Sequence, residues 1–310
     1  MYYLYFINIY TFVVRFIQTS IYTINTNYQL QFVKTESKRA NERRKKNMAI
    51  DLKTLKGIGD HPPRVCLMGN RGAGKTETAT GAPKPFFFNL EKSRIRRNIG
   101  PGNQAPETYA EVLDFIDSLL TQEHDYKSVI IDTLDTLEAM MTDHICKVNG
   151  YKNINQTEWG VGLSKRDDEW LRFLGLLDKL NERGMYIILV GHTIIQEMRD
   201  PLLPTFDRYD LKLHKRTGPI VLDWTDLNGF CMIKCYSSEN GERKTATTVG
   251  ERVICCQPNP AYEAKTRYGG IPNEIPMDWN ILEDYMRKGA KLTEPQPNRP
   301  QNKPETKKEE

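Results

Sequence analysis

Val65-Cys-Leu-Met-Gly69-Asn-Arg-Gly-Ala-Gly74-Lys75-Thr76 joins four apolar residues to a glycine-rich turn that closes on a lysine and a hydroxyl. The turn fits G-x-x-x-x-G-K-[ST] across Gly69, Asn70, Arg71, Gly72, Ala73, Gly74, Lys75 and Thr76, and Glu77 opens a helix-compatible run. Glycines let backbone N–H groups curl around phosphate oxygens, and the helix start that follows favours negative charge. Lys75 would then reach the β- and γ-phosphates while the Thr76 hydroxyl ligates Mg²⁺. Residues 69–77 are therefore the expected nucleotide-binding segment, with ATP and Mg²⁺ as cofactors.

A phosphate loop between a strand and a helix implies a sheet with crossover helices, and the sequence around it agrees. Apolar runs at Val65–Met68, Phe86–Leu90, Val129–Asp132, Tyr186–Gly191, Phe230–Tyr236 and Arg252–Cys256 are expected strands. Between them, Trp170, Leu171, Leu174, Leu177 and Leu180 recur at helical spacing, predicting a helix over 167–181 capped at Ser164. Asn240-Gly241 marks a hairpin turn, so the last strands should be antiparallel. The expected fold class is α/β: a mostly parallel sheet flanked by helices, with C-terminal antiparallel strands.

The formal charge of the 310-residue chain is +4, but its location empties it of meaning for the core. Residues 1–47 carry eight basic against two acidic side chains, and the remainder 36 against 38. Residues 1–33 are rich in Tyr, Phe, Ile and Asn and hold one charge, Arg15. Their polar interruptions argue against a membrane span or a secretory signal. The purine-rich coding implied by Asn41-Glu-Arg-Arg-Lys-Lys-Asn47 suggests that Met48 is the true start and 1–47 a non-native leader. An ATPase domain is then expected over 48–292 and a disordered tail over 293–310, which is polar, proline-broken and uncharged on balance. The six cysteines show no metal-finger spacing and read as buried free thiols of a reducing, cytoplasmic compartment.

Other residues complete a triphosphate site. Val129-Ile-Ile131 ends in Asp132, a carboxylate one crossover after the loop and suited to the Mg²⁺ shell. Phe86-Phe-Phe-Asn-Leu-Glu91 offers Glu91 at a strand end to prepare water. Met185-Tyr-Ile-Ile-Leu-Val-Gly-His192-Thr193 ends in a polar pair where a strand tip would meet the γ-phosphate region, with His192 able to sense phosphate, while Asp135 and Glu138 look like helix N-terminal carboxylates. In Ala264-Lys-Thr-Arg-Tyr-Gly-Gly270, Lys265 and Arg267 are two apart, so an extended backbone sends both to one face.

These motifs resemble the RecA-like ATPase superfamily over roughly 49–292. They are most similar to the phage single-strand annealing ATPases of the Sak group, and next to the motor domain of DnaB-type helicases. The resemblance implies a DNA-dependent ATPase that forms a ring or filament on single-stranded DNA, with nucleotide at subunit interfaces. It also implies that Lys265 and Arg267 enter a neighbour's site and act in catalysis with Lys75, Glu91 and His192. DNA-binding loops would fall at 149–165, with Tyr151, Lys152 and Trp159, and at 197–209, with Arg199, Phe206 and Arg208. No counterpart of the domain that DnaB-type helicases place before the motor is expected here, which lowers the helicase reading. A helicase or translocase motor remains one alternative, and a low-turnover mediator that recruits a single-strand-binding protein another.

Overall fold

A computed structural model describes residues 61–240 and 243–293 of the chain. The expected leader, residues 48–60 of the expected ATPase domain, Gly241 of the expected turn and the tail beyond Thr293 lie outside the described residues.

The strands are Arg64–Gly69 (β1), Pro85–Asn89 (β2), Asn103–Gln104 (β3), Ser128–Asp132 (β4), Tyr186–Met198 (β5), Phe206–Leu211 (β6), Leu227–Asn240 (β7), Arg243–Cys255 (β8), Lys265–Thr266 (β9) and Glu274–Pro276 (β10). The helices are Lys75–Ala79 (α1), Tyr109–Thr121 (α2), Leu134–Asn149 (α3), Val161–Glu182 (α4), Thr217–Trp224 (α5) and Trp279–Thr293 (α6). Across the sheet the order is β10-β8-β7-β1-β5-β4-β2-β3, in which β7 through β3 run parallel and β8 and β10 add antiparallel. This is the α/β class read from the sequence.

Alternation along the strands sends apolar side chains to both faces, so helices are needed on each. On one face Phe86, Phe88, Val129, Ile131 and Leu189 pack against α2, α3, α4 and α5 through Ile116, Leu137, Trp170 and Val221. On the other, Phe87, Ile130, Ile188 and Val190 pack with Ala79 of α1 and Trp279 and Leu282 of α6. Full burial of such a side chain contributes about 1.5–3 kcal/mol, so these two layers hold the sheet rigid beneath the phosphate loop. Adjacent Cys255 and Cys256 point into opposite layers.

Five expectations need correction. β5 does not stop at Gly191: beyond the last residue of β1 it gains an antiparallel partner in β6, which takes over its backbone hydrogen bonds up to Met198. The expected DNA loop 197–209 is thus strand at both ends. Helix α4 starts at Val161 after a left-handed Gly160, so Ser164 lies inside it rather than capping it, and Leu171 is 57% exposed instead of joining the apolar stripe. Among the cysteines, all free, Cys235 is exposed. No helix among the described residues is long and apolar enough to cross a membrane.

Candidate functional site

The phosphate loop leaves the sheet at Gly69, squeezed between β5 and β7. A Cβ there would lie 2.2 Å from the Cys231 carbonyl oxygen, so no other residue fits without parting β1 from β7. Gly74, at φ 108°, makes the left-handed step into α1, which ends at Ala79, just before Gly81-Ala-Pro83. Inside the loop Ala73 N–H donates to Asn70 O at 3.3 Å, Ala73 is buried and Arg71 is exposed.

Lys75 is 5% exposed and its Nζ donates to Gly69 O at 2.8 Å and Asn70 O at 2.9 Å. Burial pushes its pKa below the ordinary lysine value, against the pull of Cys231, Asp132, Glu91 and Asp135. Thr76 Oγ1 donates to Asp132 Oδ2 at 2.5 Å. Burial pushes the Asp132 carboxyl above its ordinary value, and the Thr76 bond only partly offsets this. A buried lysine held by loop carbonyls and a buried carboxylate on a threonine hydroxyl are each short of a counter-ion. The residues therefore fit a triphosphate with Mg²⁺, since paired hard oxygens suit that ion and Lys75 suits its anion.

Glu91 emerges two residues past β2, whose Asn89 pairs with Asp132 of β4. Its Oε1 lies 3.5 Å from Thr133 Oγ1 and 3.7 Å from His192 Nδ1. His192 is level with Gly69 across β1 and β5, is 7% exposed, and bonds Asp135 Oδ1 through Nδ1 at 3.1 Å. Lys212 Nζ reaches Asp135 Oδ2 at 3.3 Å, and its backbone N–H donates to His192 O at 2.8 Å. Burial lifts the Asp135 carboxyl, but His192, Thr133 and Lys212 together outweigh it and hold it below its ordinary value. One residue on from His192, Thr193 Oγ1 donates to Asn70 Oδ1 of the loop at 3.0 Å.

The structure therefore brings Lys75, Thr76, Asp132, Glu91 and His192 together around one loop. Asp135, Lys212 and Thr193 belong with them: Thr193 is the second half of the expected polar pair, Asp135 lies in the first turn of α3 as expected but also bonds His192, and nothing in the local sequence marks Lys212. Glu138 does not face the α3 terminus alone; it accepts from the His214 backbone at 2.9 Å, Trp170 Nε1 at 3.3 Å and Thr217 Oγ1. Glu77 lies in the first turn of α1, 4.0 Å from Arg97.

Lys265 and Arg267 sit elsewhere. β9 pairs Lys265 with Asn228, which is level with Cys66, three residues before Gly69 on β1. At 3.3 Å per residue that places Lys265 about 10 Å along the strands from the loop, and Arg267, whose N–H donates to Asp226 O beside Arg64, about 17 Å. Both cations turn to one side, as extension requires: Lys265 Nζ donates to Leu222 O at 2.5 Å and Asp223 O at 3.2 Å, and Arg267 to Asp223 O at 3.0 Å and Asp226 Oδ1 at 2.9 Å. Arg64 shares the Asp226 carboxylate.

Of the expected DNA loops, the first is shorter than 149–165, because Asn149 ends α3 and 161–165 already belong to α4; between them lie two short 3₁₀ turns, Ile154–Gln156 and Glu158–Gly160, which leave Trp159 98% exposed. In the second, Arg208 is committed to Asp210 and Glu263, whereas Arg199 is exposed beside Glu197 and Leu202 is 91% exposed.

A parallel sheet with a phosphate loop at the end of β1 and a Thr76–Asp132 pair beneath it defines a P-loop ATPase. A family model described as an AAA domain matches residues 61–268, and the chain belongs to that family. Among solved structures it is similar to a KaiC-like protein of the hyperthermophilic archaeon Pyrococcus horikoshii OT3, at 13% identity and a TM-score of 0.34 over 70% of this chain and 85% of that one. No curated protein matches the chain.

Proposed function

We propose that this chain hydrolyses ATP as a RecA-like protein that assembles on single-stranded DNA and promotes annealing or recombination of the phage type. In this reading each nucleotide is shared between neighbouring copies. The observation that supports it is a separation: Lys75, Thr76, Asp132 and Glu91 surround the loop, while Lys265 and Arg267 lie back along β1 from it, bonded to Leu222, Asp223 and Asp226. When bound, Mg²⁺ held by Thr76 and Asp132 supplies charge neutralisation at the β- and γ-phosphates. Lys75 exchanges its loop carbonyls for phosphate oxygens. Glu91 orients the attacking water and accepts its proton at Oε1, with His192 fixed beside it by Asp135. Lys265 and Arg267 of an adjoining copy stabilise the charge that develops, an effect worth 10³–10⁵ in rate for arginine fingers as a class.

The DNA part draws on position. Past His192, β5 continues six residues beyond the end of β1, about 20 Å, so its hairpin with β6 projects from the phosphate end of the sheet. Exposed Ile195 and Leu202 on that hairpin, and Trp159 with Lys152 on the other loop, offer the apolar and cationic surface that single strands use.

Mixing supplies the test. Lys75→Ala and Arg267→Ala chains should each be poor ATPases alone and regain activity when combined, because mixed interfaces restore one intact site. Full activity of either variant by itself refutes the shared site. Single-stranded DNA should raise the ATPase rate, and complementary strands should anneal. Unwinding of a forked duplex without annealing would replace this reading with a translocating motor. ATP binding without phosphate release would replace it with a mediator that recruits a single-strand-binding protein.

A further inference from the structure

Gly74 faces two side chains that the phosphate-loop pattern does not anticipate. A Cβ at this glycine would lie 3.4 Å from Arg252 Cδ, 3.6 Å from Met277 Cε and 3.7 Å from Met277 Sδ. Arg252 lies on β8 and Met277 directly after β10, and Met277 N–H donates to Arg252 O at 3.4 Å. Thr78 Oγ1 also reaches Met277 O at 3.4 Å. Both side chains are thus pinned beside Gly74–Thr78, the exit of the loop, whereas Lys75 Nζ turns back to its entrance at Gly69 and Asn70.

The Arg252 stem rests against the loop; the residue is exposed and has no acidic partner among the described residues. Other arginines of the domain are committed: Arg97 has Glu77, and Arg64 and Arg267 have Asp226. An uncommitted guanidinium beside a phosphate-binding backbone is matched to a phosphate oxygen pair. A thioether beside it is matched to an aromatic ring, with which sulfur makes favourable contacts.

We propose that Arg252 and Met277 form the nucleoside wall of the ATP site, Arg252 bonding the α-phosphate and Met277 lying against the base. This rests on the ATP reading above and adds two residues from the C-terminal strands to it.

Equilibrium binding of the full chain to Mg²⁺·ATP and to Mg²⁺·tripolyphosphate, which has no nucleoside, tests it. Arg252→Ala should weaken both ligands about tenfold, the loss expected for one hydrogen bond to a charged group. Met277→Ala should weaken ATP severalfold and leave tripolyphosphate unchanged. Arg252→Gln keeps the stem on Gly74 and serves in place of Arg252→Ala if that variant melts early. Unchanged affinities in the Arg252 variant overturn the proposal, as does an equal loss of both ligands with Met277→Ala. A wild-type chain that binds tripolyphosphate as well as ATP also overturns it while leaving the phosphate loop standing. A wild-type chain that binds neither refutes the ATP reading itself.

Discussion

Replacing Lys75 by methionine separates what this residue does for the fold from what it does for the ligand. Its Nζ makes two bonds to loop carbonyls, each worth about 1.5–3 kcal/mol because the donor is charged. Taking an ammonium out of water costs several kcal/mol, however, and the lowered pKa means that this cost wins. A lysine with a folded pKa below its unfolded one carries its full penalty wherever both states are protonated, and sheds it as pH rises through the folded value. Lys75→Met removes the penalty, keeps an unbranched stem of similar length, and deprives Gly69 O of a donor, which subtracts about 1 kcal/mol. The ligand-free variant should therefore melt level with the wild type or up to about 4 °C higher, the shift for about 1 kcal/mol in a domain of this size. Its lead should shrink as pH rises toward 10.5, the ordinary lysine value. At a hundredfold excess over Kd, ATP should add about 2.7 kcal/mol to the wild type, roughly 5–10 °C, and nothing to the variant. Thermal melts with and without Mg²⁺·ATP measure both effects. A ligand-free variant that melts well below the wild type refutes the balance argued here, and a persisting ATP shift refutes the role of Lys75 at the phosphates.

Gly69→Ala should lower stability by about 2–4 kcal/mol, since a Cβ 2.2 Å from Cys231 O forces two central strands apart; an unmoved urea midpoint would contradict that close approach. Glu91→Gln should keep the ATP-induced thermal shift and lose about 10²–10⁴ in kcat, and an unchanged phosphate-release rate would remove Glu91 from the chemistry. Because burial raises the Asp132 pKa and lowers that of Lys75, affinity for Mg²⁺·ATP should decline on the acid side while still above 3.8 and on the alkaline side while still below 10.5. A pH titration of binding that stays flat across that window would show that neither group governs it.

The phosphate loop, the four central strands and Asp132 were legible because each is a local pattern: an apolar run, a glycine turn, a charge at a strand end. Glu91 and His192 followed from the same logic of strand ends. Asp135 does sit in the first turn of α3, as its sequence position indicates, but its second partner, His192, was hidden because only the β4–β5 pairing brings the two together. Lys212 reaches the site because β6 folds back along β5, a hairpin that the sequence hides behind polar alternation in Phe206–Leu211. Arg252 and Met277 arrive from the far edge of the sheet, where chain distance from Gly74 gives no hint of contact.

The separation of Lys265 and Arg267 from the loop beside them in the same sheet has a kinetic corollary. A solitary protomer holds its triphosphate with one hand, and these two cations are moored to Asp226 and the end of α5 instead of swinging toward it. If turnover draws on them, phosphate release per molecule should climb with protein concentration and fade on dilution.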